Sequence, residues 1–253
     1  NEMLCLRLAP RLGLPAPQCW IEQFGDIKVI VVERYDRRRF IGKRGLPLDS
    51  AGGQVDRVHQ EDCCQALGVD PRNKYQDHGG PGIAQITALL SASGRPSEDR
   101  DRFIRACAYN FVILGTDAHA KNYSLLLGRQ GRFRLAPLYD IISSLPYSAG
   151  PKSDRIAMSI DGKYKVHQIM PRHWEAEAKK SGFDAARALA HIRDIIARLP
   201  DEALTFQKQC KDDRADANDL TKLVDLIADR CSALARTYGA EIMNEDQERL
   251  PGI

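Results

Sequence analysis

The chain has 253 residues, of which 43% are apolar and 28% charged, and its formal net charge is +3. This composition supports a substantial core and gives no bulk electrostatic argument for nucleic-acid binding. There is no secretory segment and no apolar run near 18 residues, so we expect no membrane association. The seven cysteines include no C-x-x-C pair, which argues against a disulfide or zinc framework and favours a cytoplasmic protein with reduced thiols.

The beginning of the chain predicts a helix followed by a β-hairpin. Leucines recur over residues 4–12, and Pro15 ends the helix. Two β-rich runs, 19–24 and 28–32, flank a turn at Gly25-Asp26. Alone, this piece would leave apolar surface open, so we interpret it as the remnant of a larger lobe.

A basic loop and a short helix follow. Residues 38–57 predict a loop, and 60–67 predict a helix that Gly68 ends. The loop and its approach carry a cluster of cationic side chains, which fits either a solvated surface or an anionic partner. These are Arg34, Arg37, Arg38, Arg39, Lys43 and Arg44.

Helices dominate the remainder. The glycine-rich segment 79–82 predicts a turn before a helix over 83–91, because its Pro lacks a donor N–H and no Gly-Lys-Ser/Thr follows. Ser97 is positioned to cap a buried helix that ends near Leu114. Amphipathic patterns predict three further helices over 171–180, 183–199 and 220–238. The predicted fold class is α+β and predominantly α-helical.

The most informative segment lies after the buried helix. Asp117 is followed five residues later by Asn122, and Asp140 comes 18 positions after that (140 − 122). Two short apolar runs, separated by the turn residues 128–131, predict a β-hairpin between them. Because a hairpin returns the chain to its starting edge, Asn122 and Asp140 can face one site.

This order of residues is what phosphoryl transfer from ATP requires. Asp117 can receive the proton of an attacking hydroxyl, while Asn122 and Asp140 offer the oxygen ligands that Mg²⁺ prefers. Lys121 is a candidate donor to the phosphoryl group, with a surface ion pair as the alternative. His119 is best interpreted as shaping the loop rather than as a transition-metal ligand. The motif alone leaves lipid and small-molecule kinases open beside protein kinases.

At these residues the chain resembles the HipA family, the serine/threonine kinases that act as toxins in bacterial toxin–antitoxin modules. The resemblance covers nearly the whole chain and extends to several other segments. These are residues 1–6, 12–15, 31–37, 59–62, 74–75, 79–82 and 170–174.

The resemblance implies roles for specific residues. Asp117 would be the catalytic proton acceptor, and Asn122 and Asp140 would bind magnesium. Glu33, Arg34 and Tyr35 would form the hinge that meets the adenine through its backbone. The remaining nucleotide-site residues would be His119, Ala120, Lys121, Asn122, Tyr139 and Asp140.

The resemblance also implies a kinase architecture and partners. Residues 1–37 would belong to the nucleotide-covering N-lobe and hinge, and 38–253 would form a helical, protein-kinase-like C-lobe. The implied cofactors are ATP and magnesium. The implied partners are a HipB-like DNA-binding antitoxin, with DNA contacted mainly through it, and a protein substrate in translation such as an aminoacyl-tRNA synthetase.

One departure from the family pattern shapes the expected activity. No Gly-rich segment followed by a suitable Lys precedes Glu33, so the family's phosphate-binding loop and strand Lys are missing. We therefore expect this chain to be the carboxy-terminal part of a longer kinase and to be inactive alone. A non-enzymatic alternative is a binding module within an antitoxin–DNA complex.

Overall fold

The computed structural model describes residues 1–39, 55–150, 152–210 and 217–241. These ranges contain seven α-helices and nine short β-strands. The helices are α1 (Glu2–Arg11), α2 (Cys63–Ala66), α3 (Ile83–Leu90), α4 (Pro96–Val112), α5 (Pro171–Lys180), α6 (Ala185–Gln209) and α7 (Ala217–Tyr238). The strands are β1 (Cys19–Phe24), β2 (Ile27–Val32), β3 (Arg37–Arg39), β4 (Val55–Arg57), β5 (Gln60–Asp62), β6 (Ser124–Leu127), β7 (Phe133–Leu135), β8 (Arg155–Ile160) and β9 (Lys163–Lys165).

The described strands form four small antiparallel sheets. Three of them are two-stranded, pairing β1 with β2, β3 with β4, and β8 with β9. The fourth has the order β5-β6-β7, with Leu125 opposite both Glu61 and Leu135. The central strand β6 begins two residues after Asn122, so this residue lies at the start of the three-stranded sheet.

Helix α4 lies at the centre of the hydrophobic core. Its residues Phe103, Ala106 and Tyr109 are completely buried, and it packs against α3, α6 and α7. The partly buried Arg230 side chain of α7 donates from Nε to the carbonyl of Val112 and from Nη2 to that of Phe111, both at 2.7 Å. These bonds add partners for carbonyls of the last turn of α4, where the helix itself leaves carbonyls unsatisfied; the Phe111 carbonyl also accepts from the Leu114 N–H at 3.4 Å.

The amino-terminal segment is joined to this helical body. Leu4, Leu6 and Leu8 of α1 are buried in the same core, and the Tyr109 hydroxyl donates to the carbonyl of Cys5 at 2.8 Å. By contrast, the tip of the β1–β2 hairpin is open, with Phe24 exposed. The predicted division of the chain near residue 37 stays a prediction.

All seven cysteines have free thiols, and six of them are buried. Burial raises the pKa of the Cys5 thiol and that of the Cys231 thiol to about 12. Both thiols are therefore held in their neutral form at physiological pH.

Several local predictions differ from the structure. Residues 60–62 form strand β5 rather than the start of a helix, because they pair with β6, and only 63–66 are helical. Helix α4 begins at Pro96 and has Arg95, not Ser97, at its N-cap. Helix α6 continues through Pro200 to Gln209 instead of ending near 199. Most of the predicted loop 38–57 lies outside the described residues; its described ends are strands.

Candidate active site

The loop that carries Asp117 begins in a fixed conformation at the end of α4. Leu114 has a left-handed backbone with φ 57°. A Cβ atom on Gly115 would lie 2.5 Å from Oδ1 of the Asn110 side chain, so only glycine fits without rearrangement. Asn110 is itself held by donating to the hydroxyl of Tyr123 at 3.1 Å. The loop therefore starts from a rigid, buried base.

Asp117 is exposed and has one direct side-chain partner. Its side chain is 62% exposed, and its Oδ1 accepts a hydrogen bond from the Tyr75 hydroxyl at 2.5 Å. Its Oδ2 lies 3.9 Å from Nε2 of His119, which is too far for a hydrogen bond. Neither oxygen is paired with a Lys or Arg among the described residues. The carboxylate thus keeps one oxygen available to a ligand.

His119 and Asn122 lie beneath Asp117 and hold the loop. Both are buried, and Nδ2 of Asn122 donates to the backbone carbonyl of Asp117 at 2.9 Å. Because the amide nitrogen is used in this way, the amide oxygen faces away from that carbonyl. Burial lowers the pKa of His119, which favours the neutral imidazole at physiological pH.

The hairpin β6–β7 brings Asp140 to the same cleft as Asn122. The Tyr139 hydroxyl donates to the carbonyl of Lys121 at 2.6 Å and lies 2.6 Å from the Ser124 hydroxyl oxygen. These contacts join the two ends of the hairpin. Asp140 follows in a left-handed conformation with φ 54° and is exposed. It makes no hydrogen bond or ion pair to the described residues.

The resulting cleft has a volume of about 490 Å³. Its walls carry most of the predicted site residues together with side chains from β4, β5 and the 65–74 segment. The lining residues are Arg57, Gln60, Asp62, Gln65, Lys74, Asp117, His119, Lys121, Asn122, Ser124, Tyr139 and Asp140. The structure thus brings together side chains that lie up to 83 positions apart in the sequence (140 − 57).

Lys121 forms an ion pair, which was the alternative to its role as a donor to the phosphoryl group. Its Nζ donates to Oδ2 of Asp62 at 2.6 Å, and both side chains are at least two-thirds buried. Asp62 also caps α2 by accepting from the backbone N–H of Gln65. Lys121 therefore joins the loop to α2, and its charge is already balanced.

The predicted hinge lies beside the cleft rather than within it. Glu33 and Arg34 are exposed, and Arg34 donates two hydrogen bonds to Asp36, at 2.8 and 2.7 Å. The Tyr35 ring lies 6.1 Å from that of Tyr139, measured between centroids, so it reaches the cleft edge. Ala120 is completely buried behind the loop.

Asp36 is the anchor of the hinge. It is only 1% exposed and is contacted by the guanidinium groups of Arg34, Arg37 and Arg57. The hydrogen bonds from Arg34 lower the pKa of this carboxyl despite its burial. Of the basic cluster noted in the sequence, Arg34 and Arg37 contact this carboxylate, and the other four side chains lie outside the described part of the chain.

Sequence reasoning assigned no role to several residues of this site. Tyr75 and Lys74 are the clearest cases, because one binds Asp117 and the other lines the cleft. Gln60 and Asp62 also contribute to the walls. The only signal was that residues 59–62 and 74–75 belong to segments resembling the HipA family. Their contacts with the loop that carries Asp117 are long-range and have no local sequence pattern.

The oxygen donors fit a magnesium ion better than a transition metal. Among the described residues, no group of three or more His, Cys, Asp or Glu side chains could hold a metal. Asn122 and Asp140 supply an amide and a carboxylate on one cleft. Magnesium in phosphoryl-transfer sites uses one or two protein carboxylates, with phosphates and water completing its shell.

In the described part of the chain no helix has the length and apolarity to cross a membrane.

Known proteins resemble this chain in sequence. Y4mE of Sinorhizobium fredii, whose name marks it as a suspected kinase, is 32% identical over 231 residues, covering 91% of this chain and 52% of its own length. The serine/threonine-protein kinase toxin HipA of Shewanella oneidensis is 27% identical over 211 residues, covering 79% and 46%. The chain therefore spans about half the length of these relatives.

The fold is also found in a solved structure. The HipA, HipB and operator DNA complex of Shewanella oneidensis MR-1 contains a chain that matches with a TM-score of 0.81 at 23% identity, covering 96% of this chain and 58% of that one. This match confirms the predicted fold class. The model of the HipA-like C-terminal domain matches residues 1–203. The chain belongs to the HipA-like C-terminal domain family.

Proposed function

We propose that this chain carries the catalytic C-lobe of an ATP- and magnesium-dependent serine/threonine protein kinase. One observation supports this most directly. Asp117, Asn122 and Asp140 line one cleft, and the two carboxylates are exposed and unpaired with Lys or Arg among the described residues. Phosphoryl transfer needs a proton acceptor and metal ligands in this arrangement.

Asp117 is assigned the role of proton acceptor. Its exposed side chain can reach an incoming hydroxyl, while Asn122 holds its backbone carbonyl at 2.9 Å. Neutral His119 stands below the carboxylate and does not compete for it as a cation would. Such a group orients the substrate hydroxyl and takes its proton.

Asn122 and Asp140 are assigned to magnesium. Both are oxygen donors suited to a hard cation. Asn122 is held by the bond from its side-chain amide to the Asp117 carbonyl, and Asp140 by the preceding Tyr139, whose hydroxyl donates to the Lys121 carbonyl. When bound, the metal would supply positive charge that neutralises the phosphates.

The nucleotide is proposed to enter between the hinge and the hairpin. The backbone of Glu33 to Tyr35 would meet the adenine, with the Tyr35 and Tyr139 rings beside it. His119, Ala120 and Lys121 would form the floor near the phosphates. Since Lys121 is paired with Asp62, we assign to Lys74 the role of stabilising the negative charge on the phosphoryl group. This second cleft lysine makes no ion pair within the described ranges.

The proposed protein is longer than this chain. Relatives are about twice as long as the part they share with it, and no phosphate-binding loop precedes Glu33. We propose that residues 1–37 complete an N-lobe whose remainder supplies that loop, and that 38–253 form the C-lobe. Because phosphoryl transfer depends almost entirely on positioning and electrostatic stabilisation, residues 1–253 alone should turn over negligibly.

The proposed setting is a toxin–antitoxin module in the cytoplasm. The solved neighbour assembles with HipB and operator DNA, so we propose a HipB-like antitoxin as partner and DNA contact mainly through it. The proposed substrate is a protein of translation, such as an aminoacyl-tRNA synthetase. The free thiols fit a reducing compartment.

The test compares acceptors and chain lengths. The full-length protein and residues 1–253 are incubated with radiolabelled ATP, magnesium and, separately, dephosphorylated casein, phosphatidylinositol vesicles and glycerol. Label on serine or threonine of casein, made by the full-length protein only, is the expected result. Label on lipid or glycerol would instead favour the related kinase classes. No transfer to any acceptor would favour the binding-module alternative.

A further inference from the structure

One contact to the proposed proton acceptor has no role in the scheme above. The hydroxyl of Tyr75 donates to Oδ1 of Asp117 at 2.5 Å, although 42 positions separate the two residues. This bond raises the pKa of the Tyr75 phenol to about 12. Tyr75 therefore stays protonated and remains a donor throughout the physiological range.

The Tyr75 ring is held in place by the catalytic loop itself. It packs edge-on against the His119 ring, with centroids 5.1 Å apart and an interplanar angle of 82°. The backbone N–H of Ala120 donates to the carbonyl of Lys74 at 3.4 Å. The hydroxyl thus approaches Asp117 from a ring that packs on His119, and the backbone before that ring is joined to Ala120.

The glycine-rich segment 79–82 explains how the Tyr75 backbone is held. The backbone N–H of Gly80 donates to the carbonyl of Tyr75 at 2.9 Å. A Cβ atom on Gly80 would lie 2.2 Å from the carbonyl oxygen of Asn73 and 2.7 Å from that of Tyr75. No larger residue fits without moving this backbone, so the segment is a support for Tyr75 and not a phosphate cradle.

Tyr75 also lies between two cavities. Asp117 lines the cleft of about 490 Å³, whereas Tyr75 lines a neighbouring cavity of about 240 Å³ together with Thr116 and Arg155. The hydroxyl therefore binds the carboxylate at the boundary between the two spaces. It takes Oδ1 and leaves Oδ2 without a hydrogen bond in the described part of the chain.

We propose that Tyr75 is a positioning residue for Asp117. Its hydroxyl fixes the carboxylate through Oδ1, so that Oδ2 is presented to the acceptor hydroxyl of the substrate. This inference rests on the proposed kinase function. A carboxylate free to rotate would spend less time in the reactive orientation, and small misplacements of reacting groups are costly in rate.

The experiment removes only the hydroxyl. Tyr75→Phe in the full-length protein keeps the ring on His119, so the melting temperature should stay within about 2 °C of wild type. With ATP, magnesium and dephosphorylated casein, we expect kcat to fall about tenfold or more, while KM for ATP changes less than about twofold.

The control is Tyr238→Phe. This variant removes a hydroxyl that donates to the carbonyl of Ile169 at 3.1 Å, remote from the cleft. It should leave both kcat and KM for ATP unchanged.

Other outcomes would contradict the inference. A wild-type kcat in Tyr75→Phe would overturn it, and so would a rise in kcat, which would make the hydroxyl a block on the acceptor position. Loss of the fold would show a structural role instead. Asp117→Asn in the same assay separates the two proposals: if it also retains activity, the kinase assignment to this cleft fails, and if it alone is inactive, only the role of Tyr75 fails.

Discussion

Two aspartates in neighbouring parts of the site have opposite surroundings. Asp36, in the hinge, is 1% exposed and contacts three arginines. Asp117, in the loop after α4, has a side chain that is 62% exposed, and among the described residues only the Tyr75 hydroxyl donates a hydrogen bond to that side chain. A carboxylate saturated by fixed cations cannot take up a proton near neutral pH or bind a further cation. The comparison shows how the same side chain serves structure in one place and remains free for chemistry in another.

The largest expected effect comes from removing the unpaired carboxylate. Asp117→Asn keeps the size of the side chain but removes the proton acceptor, so phosphoryl transfer should fall about a thousandfold. Folding and nucleotide binding should remain near normal, because no ion pair to Lys or Arg is lost. Rates of casein phosphorylation by the full-length protein test this. Asp225→Asn, on the exposed side of α7, is the matched control; a residual Asp117→Asn rate within threefold of wild type would remove Asp117 from this role.

Removing the saturated carboxylate of Asp36 should reduce folding stability rather than the rate of phosphoryl transfer. Asp36→Ala removes hydrogen bonds to charged partners, which typically contribute about 2 kcal/mol of folding free energy. Urea unfolding followed by circular dichroism should show this decrease. Asp70→Ala supplies the contrast, since Asp70 pairs with Arg72 at 2.8 Å but in an exposed position. Equal unfolding midpoints for the two variants would contradict the assignment of Asp36 as an anchor.

The third prediction concerns the second unpaired carboxylate, Asp140. Asp140→Asn should weaken binding of ATP with magnesium about tenfold, or 1.4 kcal/mol. Asn is the suitable replacement because it tolerates the left-handed backbone at φ 54°. Asn122→Ala should act in the same direction but less, since a neutral ligand is lost. Calorimetric titration of the full-length protein measures both.

The control for Asp140 is Asp161→Asn. Asp161 has the same left-handed backbone, with φ 49°, but lies outside the cleft. Chelating the metal with EDTA should make the ATP affinities of Asp140→Asn and wild type converge. If the difference persists without metal, Asp140 contacts the nucleotide in some other way.

The smallest effect is expected at His191, whose ring contacts a third, partly buried aspartate, Asp101. Oδ1 of Asp101 lies 2.7 Å from Nε2 of His191, while the Arg105 guanidinium donates to Nδ1 of that ring at 3.0 Å. Burial lowers the pKa of His191, and a proton on Nδ1 would also face the Arg105 and Arg187 charges. Stability is therefore fully present above the unfolded pKa of about 6.5 and is lost as pH falls through the lower folded value.

Replacing His191 should flatten that pH dependence. The decrease in melting temperature between pH 7.5 and 5.5 should be smaller in His191→Gln than in wild type, by an amount equivalent to less than about 1 kcal/mol. His59→Gln, at an exposed position, should retain the wild-type slope. An unchanged slope in His191→Gln would show that this imidazole does not titrate between the two pH values.

Local chemistry in the sequence was enough to predict the hairpins and most helices. The turn signals at 25–26 and 128–131 correctly located β1–β2 and β6–β7. The prediction at 60–62 was wrong because its outcome depends on pairing with β6, about 60 residues away. Helix α6 extends past Pro200 because Ala203 and Phe206 are buried in the core, and this packing outweighs the local preference.

The candidate site was predictable to a similar degree. The spacing of Asp117, Asn122 and Asp140 indicated one cleft, since a hairpin connects them. An ion pair of Lys121 was an open alternative, but its partner Asp62 and the bond of Tyr75 to Asp117 could not be foreseen, because both contacts are long-range. What those residues do depends on tertiary neighbours, which a single sequence does not specify.

The buried cysteines give the molecule a set of internal reporters of local opening. Cys5 lies in α1, Cys64 in α2, Cys107 in α4 and Cys231 in α7, so most layers of the core contain a thiol. Because burial and a raised pKa make such thiols unreactive, an alkylating reagent should modify each one only when its element transiently opens. Mass-spectrometric labelling rates would then rank the elements by opening free energy without any engineered probe. Cys210, only partly buried, should react first and mark the fast limit of the scale.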